Sequence, residues 1–321
     1  MKKIALIFSF LLGIIILILL GRYVGIQDMI IKLKSIHPLL FIPLIFFYSI
    51  SWMFRAKRLQ QIGRILQTPI SSKHAFFIEI LGNFANIIIP AKMGDAVKVF
   101  YFNHKYGLSY KRGIFISLII RIMDVIAVVG LLLCSALFIS REAVGSFFSY
   151  VLLSAAFIIL SLILAAIFYY RPRIFLALLI GPLRRLRPTL QKIHALFRNN
   201  LLSTSNIIIT SLLVWIFDTL VLYLILHSFQ VQLDFSKAIF VLTISNLVKA
   251  FPITPEAIGV FEGVMVAVLS QFGVNSSTAF AIAIIDHGFK IVYTFAAGAY
   301  ALYSLRISPR ELWQKLSRRP S

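Results

Sequence analysis

The sequence predicts an all-α polytopic membrane protein of about six full spans plus two broken re-entrant hairpins arranged as inverted repeats. Three observations carry that prediction. Of 321 residues, 60% are hydrophobic and only 13% charged, and the mean hydropathy of +0.93 excludes an ordinary water-facing surface. Six apolar stretches, 4–20, 39–54, 114–139, 150–170, 204–228 and 277–304, approach or exceed the length of about 20 residues that a helix needs to cross the hydrocarbon. The 32 Lys+Arg against 11 Asp+Glu are concentrated between those stretches, mostly on one side of the layout.

The first stretch follows Lys2 and Lys3 and runs into Gly21-Arg22-Tyr23 without a small-x-small cleavage site, so it reads as a retained span rather than a signal peptide. Passing back and forth through six spans puts the N-terminus, 55–73, 104–112, 171–203 and the C-terminal tail on one face with 22 Lys/Arg; the other face carries five. That asymmetry is the positive-inside signature and predicts cytoplasmic termini, with the basic character topological rather than a sign of nucleic-acid binding. The segment 171–203, apolar at Ile174, Phe175, Leu178 and Leu179 before Arg184, Arg185 and Arg187, reads as lying in the cytoplasmic interface against anionic headgroups.

Two further apolar stretches, 74–103 and 237–272, are interrupted near the middle by Ile89-Pro90-Ala91-Lys92-Met93-Gly94-Asp95 and by Phe251-Pro252-Ile253-Thr254-Pro255-Glu256. Proline removes an amide donor and clashes with the preceding turn, so each stretch becomes two short helices around a break, expected to enter and leave by one face; if each half crossed fully, the count would be ten spans. The stretches also align as repeats, about 75–136 and 238–302 within a single transmembrane domain, 1–321. Asn83 precedes Pro90 by seven residues and Asn246 precedes Pro252 by six; Gly94 and Asp95 follow one proline, Gly259 and Glu262 the other. Asp95 lies 26 residues before Arg121, and Glu262 24 before Asp286. Entry of one hairpin from the cytoplasm and the other from outside makes the halves antiparallel, as in many transporters.

Seven of the 11 acids, Glu79, Asp95, Asp124, Asp218, Glu256, Glu262 and Asp286, fall at or near membrane depth. Six repeat-core charges facing lipid unpaired cost roughly 15–20 kcal/mol, so they must pair or line a wet cavity. Arg121 with Asp124, and Asp286 with Lys290, have the helical spacing for pairing. The substrate-contacting set is therefore expected among Asn83, Pro90, Lys92, Gly94, Asp95, Arg121, Asp124, Asn246, Pro252, Glu256, Gly259, Glu262, Asp286 and Lys290. Arg121 suits a phosphate because guanidinium presents a planar fork of donors; Asp95 and Glu262 suit a cationic group or a coupling proton. His287 reads as a hydrogen-bonded helix residue, Trp52 and Trp215 as interface anchors, and Cys134, in GLLLCSAL, as a small buried core residue.

Catalytic chemistry leaves no short signature. There is no Walker-type phosphate loop and no His-Glu-x-x-His, and one cysteine excludes a cysteine-based metal site. Met93-Gly94-Asp95 lacks the partner context of an aspartyl protease, and the outer-loop acids Asp28, Glu142 and Asp234 are not adjacent, as a glycosyltransferase site would require. The expectation is a protein without enzymatic activity, without cofactor and without metal.

The runs Asn83 to Asp95 (NFANIIIPAKMGD), Trp52 to Leu59 (WMFRAKRL) and Pro252 to Glu262 (PITPEAIGVFE) resemble the transmembrane region of lysylphosphatidylglycerol synthase/flippase proteins, a resemblance that covers essentially the whole chain. Lys92 and Asp95 replace the family's usual Arg and Glu, and Glu256-Ala257 replace a pair of glycines. The resemblance implies a lipid translocase of the bacterial cytoplasmic membrane, moving a polar-headed, phosphate-containing lipid such as an aminoacylated phosphatidylglycerol. It also implies that the chain does not make that lipid, since the synthase domain's sequence is not found. The alternative it implies is a flippase for polyprenyl-phosphate or a polyprenyl-linked sugar, or a membrane scaffold or enzyme of a lipid or glycan pathway. Anionic or polyprenyl-phosphate lipids are the implied partners, with a separate lipid- or glycan-modifying enzyme.

Overall fold

The computed structural model describes residues 2–88, 94–139, 201–250 and 254–305, with the single positions 156, 171 and 191. Every regular element among them is helical: α1 (Lys2–Val24), α2 (Ile26–Lys34), α3 (Phe41–Ile65), α4 (Ser72–Ile88), α5 (Gly94–Tyr106), α6 (Tyr110–Ala136), α7 (Leu201–Ser228), α8 (Phe235–Leu247), α9 (Val260–Gln271) and α10 (Ser276–Leu305). Short 3-10 turns span Pro38–Leu40, Val248–Ala250 and Pro255–Ala257.

Local chemistry marks the ends. Ser109 accepts the Arg112 amide at 3.4 Å to open α6, and Asn275 accepts the Ser277 amide at 2.9 Å at the start of α10. Gly25, at φ 87°, turns the chain by 93° between α1 and α2. Helix α2 then packs on the start of α10, where the Lys32 ammonium donates to the Thr278 hydroxyl.

Among the described residues, four helices are long and apolar enough to cross a membrane: Pro38–Ile65, Tyr110–Ala136, Leu202–Ser228 and Ser276–Leu305; the bent pair Phe8–Val24 and Ile26–Lys34 makes a fifth if counted as one span. They correspond to five of the six expected stretches. The stretch 150–170 and most of the interfacial segment 171–203 lie outside the described residues. Both interrupted stretches are separate helices, α4 and α5 on either side of 89–93, and α8 and α9 on either side of the second break.

One boundary is corrected. The helix expected to end at residue 54 continues to Ile65, so Arg55, Lys57, Arg58 and Arg64, counted as loop charges, lie within α3; Arg58 is fully buried. Without these four the basic bias is 18 to five, and its sense is unchanged. Cys134 is also corrected: it is exposed rather than buried in the core, and Leu118, Ile122 and Val125 of the same helix are exposed as well. Apolar residues cover both faces of such a helix, so composition alone does not separate outside from inside.

The described residues form two apolar clusters in the interior. One joins α3, α4 and α7–α10 through residues such as Leu44, Phe240 and Phe261; the other joins α3, α4, α5 and α6 through Leu59, Ile78 and Phe102. Helix α4 packs on α10, and α8 packs on α6. Glycines permit close approaches at both breaks. A Cβ on Gly94 would collide with the Gly82 carbonyl oxygen, and one on Gly259 would come within 2.8 Å of the Gly13 carbonyl of α1.

Candidate functional site

Between the two broken hairpins lies a cavity of about 250 Å³, walled by residues of α3 to α10 and of the second break. Its polarity has a definite source. Glu79 on α4 holds Lys98 on α5 at 2.6 Å, and Asp218 on α7 holds Arg55 on α3 at 2.6 Å. Arg58 on α3 reaches Asp124 on α6 at 2.6 Å, and Lys290 spans one helical turn to Asp286 at 2.7 Å. Ser51 donates to the second Asp218 oxygen at 2.6 Å, and the Arg55 guanidinium stacks between Trp52 and Trp215, 5.2 and 5.6 Å from their ring centroids. Cations stacked on aromatic faces while bridged to a carboxylate are held in one orientation.

Of the expected residues, Asn83, Arg121, Asp124, Asn246, Glu256 and Lys290 line the cavity. Three others reach it through a partner. Asp95 accepts from Arg121 at 2.9 Å, Asp286 holds Lys290, and Glu262 is bonded to the cavity-lining His287 at 2.6 Å. Gly94 and Gly259 shape the breaks. The Gly94 amide donates to the Asn86 side chain at 2.8 Å, closing the α4–α5 hairpin, while the Gly259 amide donates to the Glu262 carboxylate at 2.6 Å, so that Glu262 caps its own helix. Pro90, Lys92 and Pro252 lie outside the described residues.

The pairing of Arg121 is corrected. Its neighbour three residues along, Asp124, is taken by Arg58, and Arg121 pairs instead across helices with Asp95. Helical spacing identifies which groups share a face, but a closer cation on another helix decides the partner. Trp52 is also corrected: it is buried at 2% exposure in the centre of α3 rather than anchored at an interface.

Arg55, Arg58, Lys98, Asp218 and Lys249 escaped the sequence reading as site residues. A signal was present for two of them: Arg55 and Arg58 follow Ser51 at i+4 and i+7, one stripe of a helix, which a loop assignment concealed. For Lys249, in the turn before Pro252, no periodic signal exists.

The sequence profile of the family described as "Lysylphosphatidylglycerol synthase TM region" matches residues 6–298. Three curated relatives are similar to this chain. The protein named Glycosyltransferase AglD, from Haloferax volcanii, is 20% identical over 96% of this chain and 55% of its own length. UPF0104 membrane protein MJ1078, from Methanocaldococcus jannaschii, is 28% identical over 63% of this chain and 86% of its own length. A UPF0104 membrane protein from Methanothermobacter thermautotrophicus is 34% identical over 32% of this chain and 30% of its own length. The chain thus spans about half the length of the glycosyltransferase it resembles.

That relative overturns the expectation of a protein without an enzymatic role, because a protein named for an enzyme aligns with nearly all of this chain. Absence of short motifs was a weak ground for the expectation. Folding gathers Glu79, Asp124 and Asp218 from three helices into one cavity, a constellation with no local sequence signature. The matched profile covers most of the chain, and the protein is a member of the lysylphosphatidylglycerol synthase transmembrane-region family.

Proposed function

We propose that this membrane protein handles a polar-headed, phosphate-containing lipid in the cavity between its two broken hairpins and moves that headgroup from one leaflet to the other. The observation that carries the reading is the cavity itself. A polar, charge-lined space of about 250 Å³ sits among helices long and apolar enough to span a bilayer. Charges at that depth are costly unless they pair or line a wet cavity.

The arrangement of the halves supports an inverted repeat, 75–136 and 238–302. Each half runs short helix, break, short helix, long helix, and the first short helix of each packs on the long helix of the other. Asn83 and Asn246 each donate to the carbonyl four residues earlier, at 3.1 and 2.8 Å, and both line the cavity. The loop charges favour a cytoplasmic N-terminus and C-terminus.

A second reading is favoured by the relative named as a glycosyltransferase: the cavity holds polyprenyl-phosphate or a polyprenyl-linked sugar within a pathway of glycosyl transfer. Mass spectrometry of lipid retained through gentle purification separates the two. A glycerophospholipid enriched over the host membrane supports the first, and a polyprenyl species the second. No enrichment over a cavity-blocked variant, with a tryptophan in place of Asn83, contradicts both.

A further inference from the structure

Each side of the second break carries a charge that the described residues leave unanswered. Lys249, in the turn Val248–Ala250, lines the cavity, and its ammonium lies 4.4 Å from the Phe261 ring centroid. No described carboxylate comes within 4.0 Å of it. The other lysines and arginines described in the lining, Arg55, Lys98, Arg121 and Lys290, each have a carboxylate partner. Glu256 is the matching case: among the described residues its carboxylate has no ion pair or hydrogen bond, whereas Glu79, Asp124 and Asp218 are all engaged.

The backbone holds Glu256 in place at a cost. Its φ is 49°, in the left-handed region that glycine adopts freely and a side chain disfavours. The turn is fixed by the Ala257 amide donating to the Thr254 carbonyl and the Ile258 amide to the Pro255 carbonyl, both at 3.0 Å, and by the Thr254 hydroxyl donating to the Ile258 carbonyl at 2.8 Å. A carboxylate on a strained turn and an ammonium, lining one cavity and each without an ion pair among the described residues, call for an occupant bearing both opposite charges.

We propose that Lys249 and Glu256 form a two-pronged receptor for a zwitterionic phospholipid headgroup, Lys249 taking the phosphodiester and Glu256 a primary ammonium, the chemistry of phosphoethanolamine. The inference rests on the lipid-handling reading of the same cavity. A purely anionic headgroup satisfies Lys249 but meets repulsion from Glu256, so the pair discriminates by charge pattern as well as attracting.

The test titrates the full chain in detergent with short-chain phosphatidylethanolamine, phosphatidylglycerol and diacylglycerol. Quenching of Trp52 and Trp215, which line the cavity, reports occupancy. Wild type prefers phosphatidylethanolamine over phosphatidylglycerol, and both over diacylglycerol. Lys249→Gln weakens both phospholipids about tenfold, while Glu256→Gly, which keeps the turn and relieves its strain, removes only the preference for phosphatidylethanolamine. Equal affinities of wild type for the three lipids, or an unchanged preference in Glu256→Gly, overturn the proposal. So does wild-type behaviour of the charge-swapped Lys249→Glu/Glu256→Lys protein, since the two residues then serve only each other. Parallel leaflet assays in proteoliposomes keep the readings apart: the expected binding pattern without lipid movement sinks translocation and leaves the receptor standing, and movement indifferent to Glu256→Gly does the reverse.

Discussion

Removing either member of the Arg58–Asp124 pair has unequal consequences, and the inequality can be worked from burial. The Arg58 side chain is 1% exposed and the Asp124 side chain 19%, the latter opening on the cavity. Asp124→Asn therefore strands a guanidinium that keeps only Ser211, at 3.3 Å, as a described side-chain partner. Stranding a buried charge costs about 3–5 kcal/mol. Arg58→Gln instead leaves a carboxylate beside the cavity and within the fields of Arg55 and Arg121, for which about 1–3 kcal/mol is expected. The double variant Arg58→Gln/Asp124→Asn strands nothing, so it should be no less stable than Asp124→Asn alone, with a coupling energy of at least about 1 kcal/mol. Arg121 and Asp95 supply the control. Their side chains are 39% and 31% exposed, and the same cycle on them should yield under about 1 kcal/mol. Reversible unfolding in mixed micelles, titrated with a denaturing detergent, measures all six variants. A coupling for Arg58–Asp124 no larger than for Arg121–Asp95 refutes the assignment of a buried structural pair.

Other outcomes follow from the breaks and the layout. Gly94→Ala should fail to close the α4–α5 hairpin, losing several kcal/mol or all folded yield, whereas Gly130→Ala, with open space around the added methyl, should match wild type; size-exclusion profiles and thermal unfolding compare them. In a Cys134→Ser background, a cysteine at Gly107 should react with an impermeant maleimide only from the cytoplasmic side and one at Gly273 only from the opposite side. Labelling of both from one face contradicts the proposed orientation.

Much of this was legible in the sequence for a physical reason. Hydrocarbon requires long uninterrupted apolar helices, and these announce themselves by length, so α6, α7 and α10 were found within a few residues of their ends. The proline-centred interruptions likewise separated α4 from α5 and α8 from α9. What stayed hidden depended on partners distant in sequence. Arg55 and Arg58 resembled a basic loop because charge is the usual mark of a span's end; only Asp218 and Asp124, more than 60 residues away, explain why α3 carries them inside. Arg121 had an acid at ideal helical spacing and took another, because Arg58 occupies that acid. Lys249 and Glu256 sit in turns, where no periodicity indicates which way a side chain faces.

The claim that the cavity is the path of the headgroup is tested most directly by blocking it reversibly. Asn83→Cys and Asn246→Cys, one in each half and both lining the cavity, are made in the Cys134→Ser background and reconstituted with fluorescent phosphatidylethanolamine. Each is then modified to completion with a bulky charged thiosulfonate. Exposure of the labelled lipid to an impermeant quencher reports movement between leaflets. The account predicts that either modification stops lipid movement and that reduction of the mixed disulfide restores it. Undiminished movement with both positions fully modified would contradict it.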